Sequence, residues 1–170
     1  MKPFTSHAIK RRATPKDVFY TPTAVALTHI ASITSELDDI WYDPFAGRKV
    51  YYNNFPGVHK LWSEISEGKD FFTFQEPIDI ICSNPPYSMI DAVLAKTLEL
   101  KPRIFSYLLL EGKMTPKRLE LINAAGYGMT GMYMCKVFNW YGMAVAYTFT
   151  KGSDNNPKLI YDRIVHRPDP

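Results

Sequence analysis

The tetrapeptide Asn84-Pro85-Pro86-Tyr87 sets a side-chain amide, two rigid residues and an aromatic ring directly after the apolar run Ile78-Asp79-Ile80-Ile81-Cys82. A buried strand that ends this way presents polar groups at the carboxyl edge of a sheet, where open α/β sheets bind ligands. Successive prolines hold φ near about −65° and lack an N–H, so the Pro85 carbonyl is stiffly aimed and stays outside any strand ladder. The Asn84 amide oxygen and that carbonyl are acceptors suited to an amino group, and Tyr87 offers a flat face to a planar ring. A plain proline turn after a strand is the simpler use of the same residues.

A second segment, Asp43-Pro44-Phe45-Ala46-Gly47, follows the short apolar run Ile40-Trp41-Tyr42. Gly47 adds no side-chain bulk, so a ligand can approach the backbone of this turn closely. Asp43 can accept from an ammonium group or cap a following helix. Glu64 ends the next apolar stretch, His59-Lys60-Leu61-Trp62, about twenty residues on, where nucleotide-binding α/β folds place an acid against ribose hydroxyls. Asp70-Phe71 then offers an acceptor beside an aromatic ring, a pairing suited to an adenine. At least two of Phe71, Phe72 and Phe74 are expected in the core.

These groups need a frame. Thr21-Pro22-Thr23 opens a helix carrying Val25, Leu27 and Ile30. Strands are expected at Ile40–Tyr42, His59–Trp62, Ile78–Cys82 and Arg103–Leu110, with a helix from Ser88 to about Leu100 stopped by Pro102 and another from Thr115-Pro116 to near Gly126. Gly131–Val137 and Met143–Thr150 read as a hairpin around Phe138-Asn139-Trp140-Tyr141-Gly142, whose aromatics either pack on the sheet or wall the acceptor site. Lys158–Val165 reads as an edge strand. The pattern is α/β: a Rossmann-like, doubly wound, mostly parallel sheet closed by a C-terminal antiparallel hairpin.

The 170 residues are 46% hydrophobic and 22% charged, enough for one packed core and ordinary for a folded chain. Cys82 and Cys135 lie in apolar segments and are expected as buried thiols. The four histidines show no ligand spacing, so no metal is expected. No stretch reaches membrane-span length and no signal-peptide core is present, which points to a soluble, cytoplasmic protein. Of the net charge of +3, residues 1–16 contribute +5 through Lys2, Lys10, Arg11, Arg12 and Lys16, leaving −2 elsewhere. A basic arm on a near-neutral body suits a phosphate backbone, as do Lys113, Lys117 and Arg118 beyond the strand ending at Leu110. Residues 17–170 are expected to form one domain.

Taken in order, Asp17-Val18-Phe19-Tyr20-Thr21-Pro22, Asp43-Pro44-Phe45-Ala46-Gly47, Glu64, Asp70-Phe71 and Ser83-Asn84-Pro85-Pro86-Tyr87-Ser88 resemble the motifs of S-adenosylmethionine-dependent amino-methyltransferases. Within that superfamily the sequence is most similar to DNA adenine-N6 methyltransferases, including small Dam-like enzymes of phages. The resemblance covers residues 17–150. It implies a class I methyltransferase fold, S-adenosylmethionine as cofactor, and methylation of the adenine N6 amine in DNA. Tyr20, Thr21, Pro22, Asp43, Phe45, Ala46 and Gly47 would lie along the methionine end, Glu64 on the ribose, and Asp70 with Phe71 beside the cofactor adenine. Asn84, which also borders the cofactor, and the Pro85 carbonyl would accept from the target amine. Pro86 would keep the turn rigid and Tyr87 would stack on the base. Lys10, Arg11, Arg12, Lys113, Lys117 and Arg118 would meet phosphates.

Two departures stand out. Lys49 replaces a glycine often found two positions after Gly47, which is expected to narrow or reshape the methionine pocket. No segment resembles a separate target-recognition domain. The motif addresses a planar nitrogen rather than one polymer, so RNA adenine or protein glutamine stays open as acceptor. A methyltransferase-like binding module of weak activity stays open as well.

Overall fold

The computed structural model describes residues 19–170. Lys10, Arg11, Arg12 and Asp17-Val18 lie outside the described residues. The chain runs through α1 (Thr23–Ala31), β1 (Trp41–Asp43), α2 (Val50–Asn54), β2 (Lys60–Trp62), β3 (Ile80–Ser83), α3 (Ile90–Leu100) and β4 (Ile104–Leu110). It continues through α4 (Pro116–Ala124), β5 (Tyr127–Val137), β6 (Ala144–Lys151) and β7 (Lys158–His166). Short 3-10 turns occupy Ile65–Glu67, Phe71–Thr73 and Tyr87–Met89.

The strands form one seven-stranded sheet in the order β2-β1-β3-β4-β6-β5-β7. Strands β2, β1, β3 and β4 are mutually parallel, and β6 runs antiparallel between β4 and β5. The expected hairpin is therefore present, and the tail strand is an edge, paired parallel to β5. The register aligns Trp41 with Ile80 and Ile80 with Ile104, while Tyr42, Ile81, Phe105 and Phe149 form the next row. Because side chains alternate faces along a strand, the two rows feed opposite cores. Helices α1 and α2 cover the first with Ala26, Ile30, Tyr51 and Phe55. Helix α3 covers the second with Ile90, Val93 and Leu94, joined by Ile122 of α4. No helix among the described residues is long and apolar enough to cross a membrane.

The chain leaves β1 toward β2 on one side and returns to β3 on the other. This reversal of direction makes the crevice at the carboxyl ends of β1 and β3 the place where such sheets bind ligands. Asp43 ends β1 and Ser83 ends β3, so both motifs meet there. Helix α2 is not among the elements expected from the sequence. Five residues give too few turns for a periodic signal.

Candidate active site

Asp43 is fully buried at the end of β1. Its Oδ1 accepts from the Ser83 hydroxyl at 2.6 Å and from the Phe45 N–H at 3.4 Å, clamping the turn to β3. Its Oδ2 has no hydrogen-bond partner, with the Tyr52 N–H nearby to favour its charge. Burial dominates, and the carboxyl pKa is raised from 3.8 to about 7. Beyond it, Gly47 adopts φ +50 and donates its N–H to Glu64 Oε2 at 2.8 Å. The other Glu64 oxygen accepts from the backbone and hydroxyl of Ser66. The carboxylate is thus held at the wall of the crevice, with lone-pair capacity left on Oε2.

Asn84 follows β3. Its Nδ2 donates to the Phe19 carbonyl at 2.8 Å and to Thr21 Oγ1 at 3.2 Å. A carbonyl oxygen can only accept, so these contacts fix the amide with its nitrogen toward Phe19. Oδ1 is then turned the other way, buried and without a partner. Such an acceptor is costly unless something else donates to it.

Phe45, Ala46, Gly47 and Glu64 face Tyr20, Thr21, Asn84, Pro85 and Pro86 across a cleft of about 600 Å³. That volume falls within the usual range for cofactor and small-molecule sites, roughly 300–1,000 Å³. Sequence reasoning missed other walls: Arg48, Val50, Ile65 and the segment Pro168-Asp169-Pro170. Asp169 Oδ2 accepts from the N–H and hydroxyl of Thr23 at 2.8 and 2.7 Å, capping α1 at the cleft mouth. Only spatial closure brings this distant segment to the site, so no local signal could have shown it.

Several expected site residues lie elsewhere. Asp43 and Pro22 sit behind the cleft wall rather than on it. Asp70 accepts from the Phe72 N–H at 3.0 Å and lines a neighbouring shallow groove with Trp62 and Lys69. That capping turn points Phe71 inward, where it is 1% exposed and packs against Phe45 and Tyr42 in the core. Phe72 and Phe74 pack against the same core, as expected. Tyr87 is also buried, and the ring of Phe19 stacks on it at 5.4 Å and 26°. The face expected to receive a planar acceptor is therefore covered by an aromatic ring of this chain. Trp140 packs against Phe19 at 5.5 Å, so the hairpin tip does pack inward there, while Tyr141 beside it is exposed.

Lys49 does not narrow the cleft. It takes a left-handed backbone, φ +62, the conformation in which a glycine is unstrained. Its ammonium turns away onto Glu67 at 3.0 Å and over the Trp62 ring at 3.9 Å. Among the basic residues beyond β4, Arg118 is committed to Asp91 and to the Lys113 carbonyl. Lys117 is exposed and Lys113 half-buried. Cys82 and Cys135 are buried free thiols, as their apolar surroundings predict.

No protein-family model matches the sequence, and no curated protein does. Solved structures do. A candidate RNA methyltransferase from Pyrococcus horikoshii aligns with TM-score 0.61 at 16% identity, over 76% of this chain and 82% of that one. The M protein of the type I restriction enzyme EcoKI aligns with TM-score 0.57 at 11% identity over 87% of this chain, which spans 47% of that protein. The fold is that of class I methyltransferases. Magnesium protoporphyrin IX methyltransferase from Synechocystis, solved with S-adenosylmethionine bound, has it too, with TM-score 0.59 at 9% identity over 76% of this chain and 77% of that one. On this methyltransferase fold, the cleft lies at the switch point between β1 and β3.

Proposed function

We propose that the chain transfers a methyl group from S-adenosylmethionine to the exocyclic N6 amine of adenine in DNA. The observation that carries this reading is the buried, partnerless Oδ1 of Asn84, aimed by the two hydrogen bonds of its own nitrogen.

The residues present fit the cofactor. Glu64 offers an acceptor to a ribose diol, and the side-chain-free Gly47 lets a ligand lie against the turn. Asp43, one layer behind, attracts positive charge through a medium of low dielectric. Ile65 lines the cleft, whereas Asp70 and Phe71 do not, so in this reading Ile65 is the apolar neighbour offered to the cofactor adenine. When bound, S-adenosylmethionine supplies a methyl group on a sulfonium. Asn84 Oδ1 and the Pro85 carbonyl accept the two amine hydrogens of the target. Both contacts draw the nitrogen lone pair out of ring conjugation and hold it in line, so positioning supplies most of the rate. A base in a duplex must leave its stack to reach this depth. The Phe19 ring holds the place on Tyr87 that the base takes, and it moves aside as the base enters. Lys117, with Lys10, Arg11 and Arg12 of the arm, supplies phosphate contacts.

The test is methyl incorporation from labelled cofactor into unmodified DNA, structured RNA and a glutamine-bearing protein, each with wild type and Asn84→Ala. Incorporation into DNA at adenine, lost in the variant, supports the reading. RNA is the second reading, favoured by the name of the Pyrococcus horikoshii neighbour, and preferential labelling of RNA would establish it. Failure to bind the cofactor, seen as no rise in stability at saturating ligand, would point instead to a binding module.

A further inference from the structure

Arg48 stands between the two left-handed residues of the cleft turn, Gly47 at φ +50 and Lys49 at φ +62. The Lys49 N–H closes that turn onto the Ala46 carbonyl at 2.6 Å, and α2 starts at the next residue. The backbone of Arg48 is therefore held, and the two neighbouring cations part company. Lys49 leaves for Glu67 and Trp62. Arg48 lines the cleft, with its guanidinium carbon 4.2 Å from the centre of the Tyr20 ring. That ring lies close over Gly47, its Cε1 3.6 Å from where a Cβ would stand. A cation over an aromatic face is attracted by the ring quadrupole, and the contact consumes none of the five guanidinium N–H donors. None of the ion pairs among the described residues engages Arg48.

Charge decides what those donors suit. The charged side chains lining the cleft among the described residues are Glu64, Asp169 and Arg48. Both acids accept from backbone N–H groups, Glu64 from Gly47 and Ser66 and Asp169 from Thr23. S-adenosylmethionine is cationic at sulfur and carries an ammonium and a carboxylate at its amino-acid end. Two carboxylates on the wall favour its sulfonium and ammonium and repel its carboxylate. A guanidinium answers a carboxylate with two parallel N–H···O bonds, and Arg48 is the one cation this lining offers. A nucleic-acid phosphate is the other anion a guanidinium fits, but it brings no cationic group of its own to meet the two acids.

We infer that Arg48 recognises the amino-acid carboxylate of S-adenosylmethionine, so that the cleft tells the intact cofactor from analogues lacking that group. The inference rests on reading the cleft as the cofactor site. Tyr20 is the positioning residue, since its ring holds the guanidinium beside Gly47.

The test is calorimetric binding of two ligands to wild type and Arg48→Gln: S-adenosylmethionine, and its decarboxylated form, which keeps the sulfonium and ammonium. Wild type should prefer the intact cofactor about tenfold, the low end for a hydrogen bond to a charged group, because Arg48 is exposed. Arg48→Gln should abolish that preference and bind the decarboxylated ligand within about twofold of wild type, which also shows that the variant is folded. Equal affinity of wild type for the two ligands, or a preference that survives in Arg48→Gln, would overturn the inference and leave the cofactor reading in place. A matching loss of affinity for both ligands would overturn it too. A further arm measures the salt dependence of duplex DNA binding, which Arg48→Gln should leave unchanged. A log–log slope reduced by about one, with the carboxylate preference intact, would assign Arg48 to a phosphate instead. If wild type binds neither ligand, the cofactor reading falls and the inference falls with it.

Discussion

Two buried polar regions lie side by side in this molecule and treat their hydrogen bonds differently. Under α1, Tyr51, His29, Ser106 and Thr148 each find a partner in one continuous chain of hydrogen bonds. At the ends of β1 and β3, Asp43 Oδ2 and Asn84 Oδ1 are equally buried and have none. Leaving such an acceptor unmade costs about 1–3 kcal/mol, so a fold retains one only where something repays it. The first region stabilises the sheet and helix. The second holds the Asn84 acceptor open at the switch point, which is how a site that awaits a donor differs from core polarity.

The sharpest way to break the comparison is Asn84→Ala. Removing an acceptor aimed at the reacting group should lower methyl transfer by about 10²–10³-fold. Unfolding in urea should shift by no more than about 1 kcal/mol, because the amide contributes an unmade acceptor as well as its own bonds. A large loss of stability would show that Asn84 belongs to the first region after all.

Titration comes next in size. Burial lowers the His29 pKa from 6.5 to about 3, and raises that of Asp43 from 3.8 to about 7. For His29 the unfolded chain takes up the proton first, so its contribution is present above pH 6.5 and fades as pH falls toward 3. For Asp43 the folded state holds the proton more tightly, so its contribution is present below pH 3.8 and fades as pH rises through 7. Between 3.8 and 6.5 the two oppose each other, and stability should be nearly flat. Asp43→Asn removes one side of that balance. Its urea midpoints should climb with pH across this window by about 1 kcal/mol per pH unit, the slope of one proton. A flat profile in the variant would show that His29 is not held neutral.

The smallest effect is expected at Lys49. Lys49→Gly relieves a left-handed backbone worth about 1–2 kcal/mol and gives up contacts to Glu67 and Trp62 worth about 1 kcal/mol at this exposure. Stability should move by about 1 kcal/mol or less, and cofactor affinity, measured by calorimetry, should stay within about twofold, since no cleft contact changes. A larger gain in affinity would restore the view that Lys49 narrows the pocket.

Much of this was legible in the residues. The strands at Trp41–Asp43, Ile80–Ser83 and Ile104–Leu110 announce themselves as apolar runs, and the proline motif marks where β3 ends. The order of motifs was enough to bring Asp43, Glu64 and Asn84 to one edge. What failed was side-chain direction inside short turns. Asp70 reads as a ligand acceptor, but its carboxylate caps the next turn and drives Phe71 into the core. Tyr87 reads as an open stacking face, yet Phe19, distant in sequence, lies on it. His29 gave no signal, because its ring partners are hydroxyls on two other elements, Tyr51 and Ser106, neither near it along the chain.

The cap on α1 has one more consequence. Asp169 and Thr23 are 146 residues apart, and their contact is solvent-exposed. Closing so long a loop is little dearer than closing a short one, but an exposed pair returns only about a kcal/mol. Helix α1 is therefore fastened unevenly, with Ala26 and His29 fully buried and its first turn tied by a weak latch. The Thr23 amide should exchange with solvent far sooner than the His29 amide, and Asp169→Ala should speed it further without touching His29. The mouth of the cleft can then breathe while the helix that carries the polar chain stays in place.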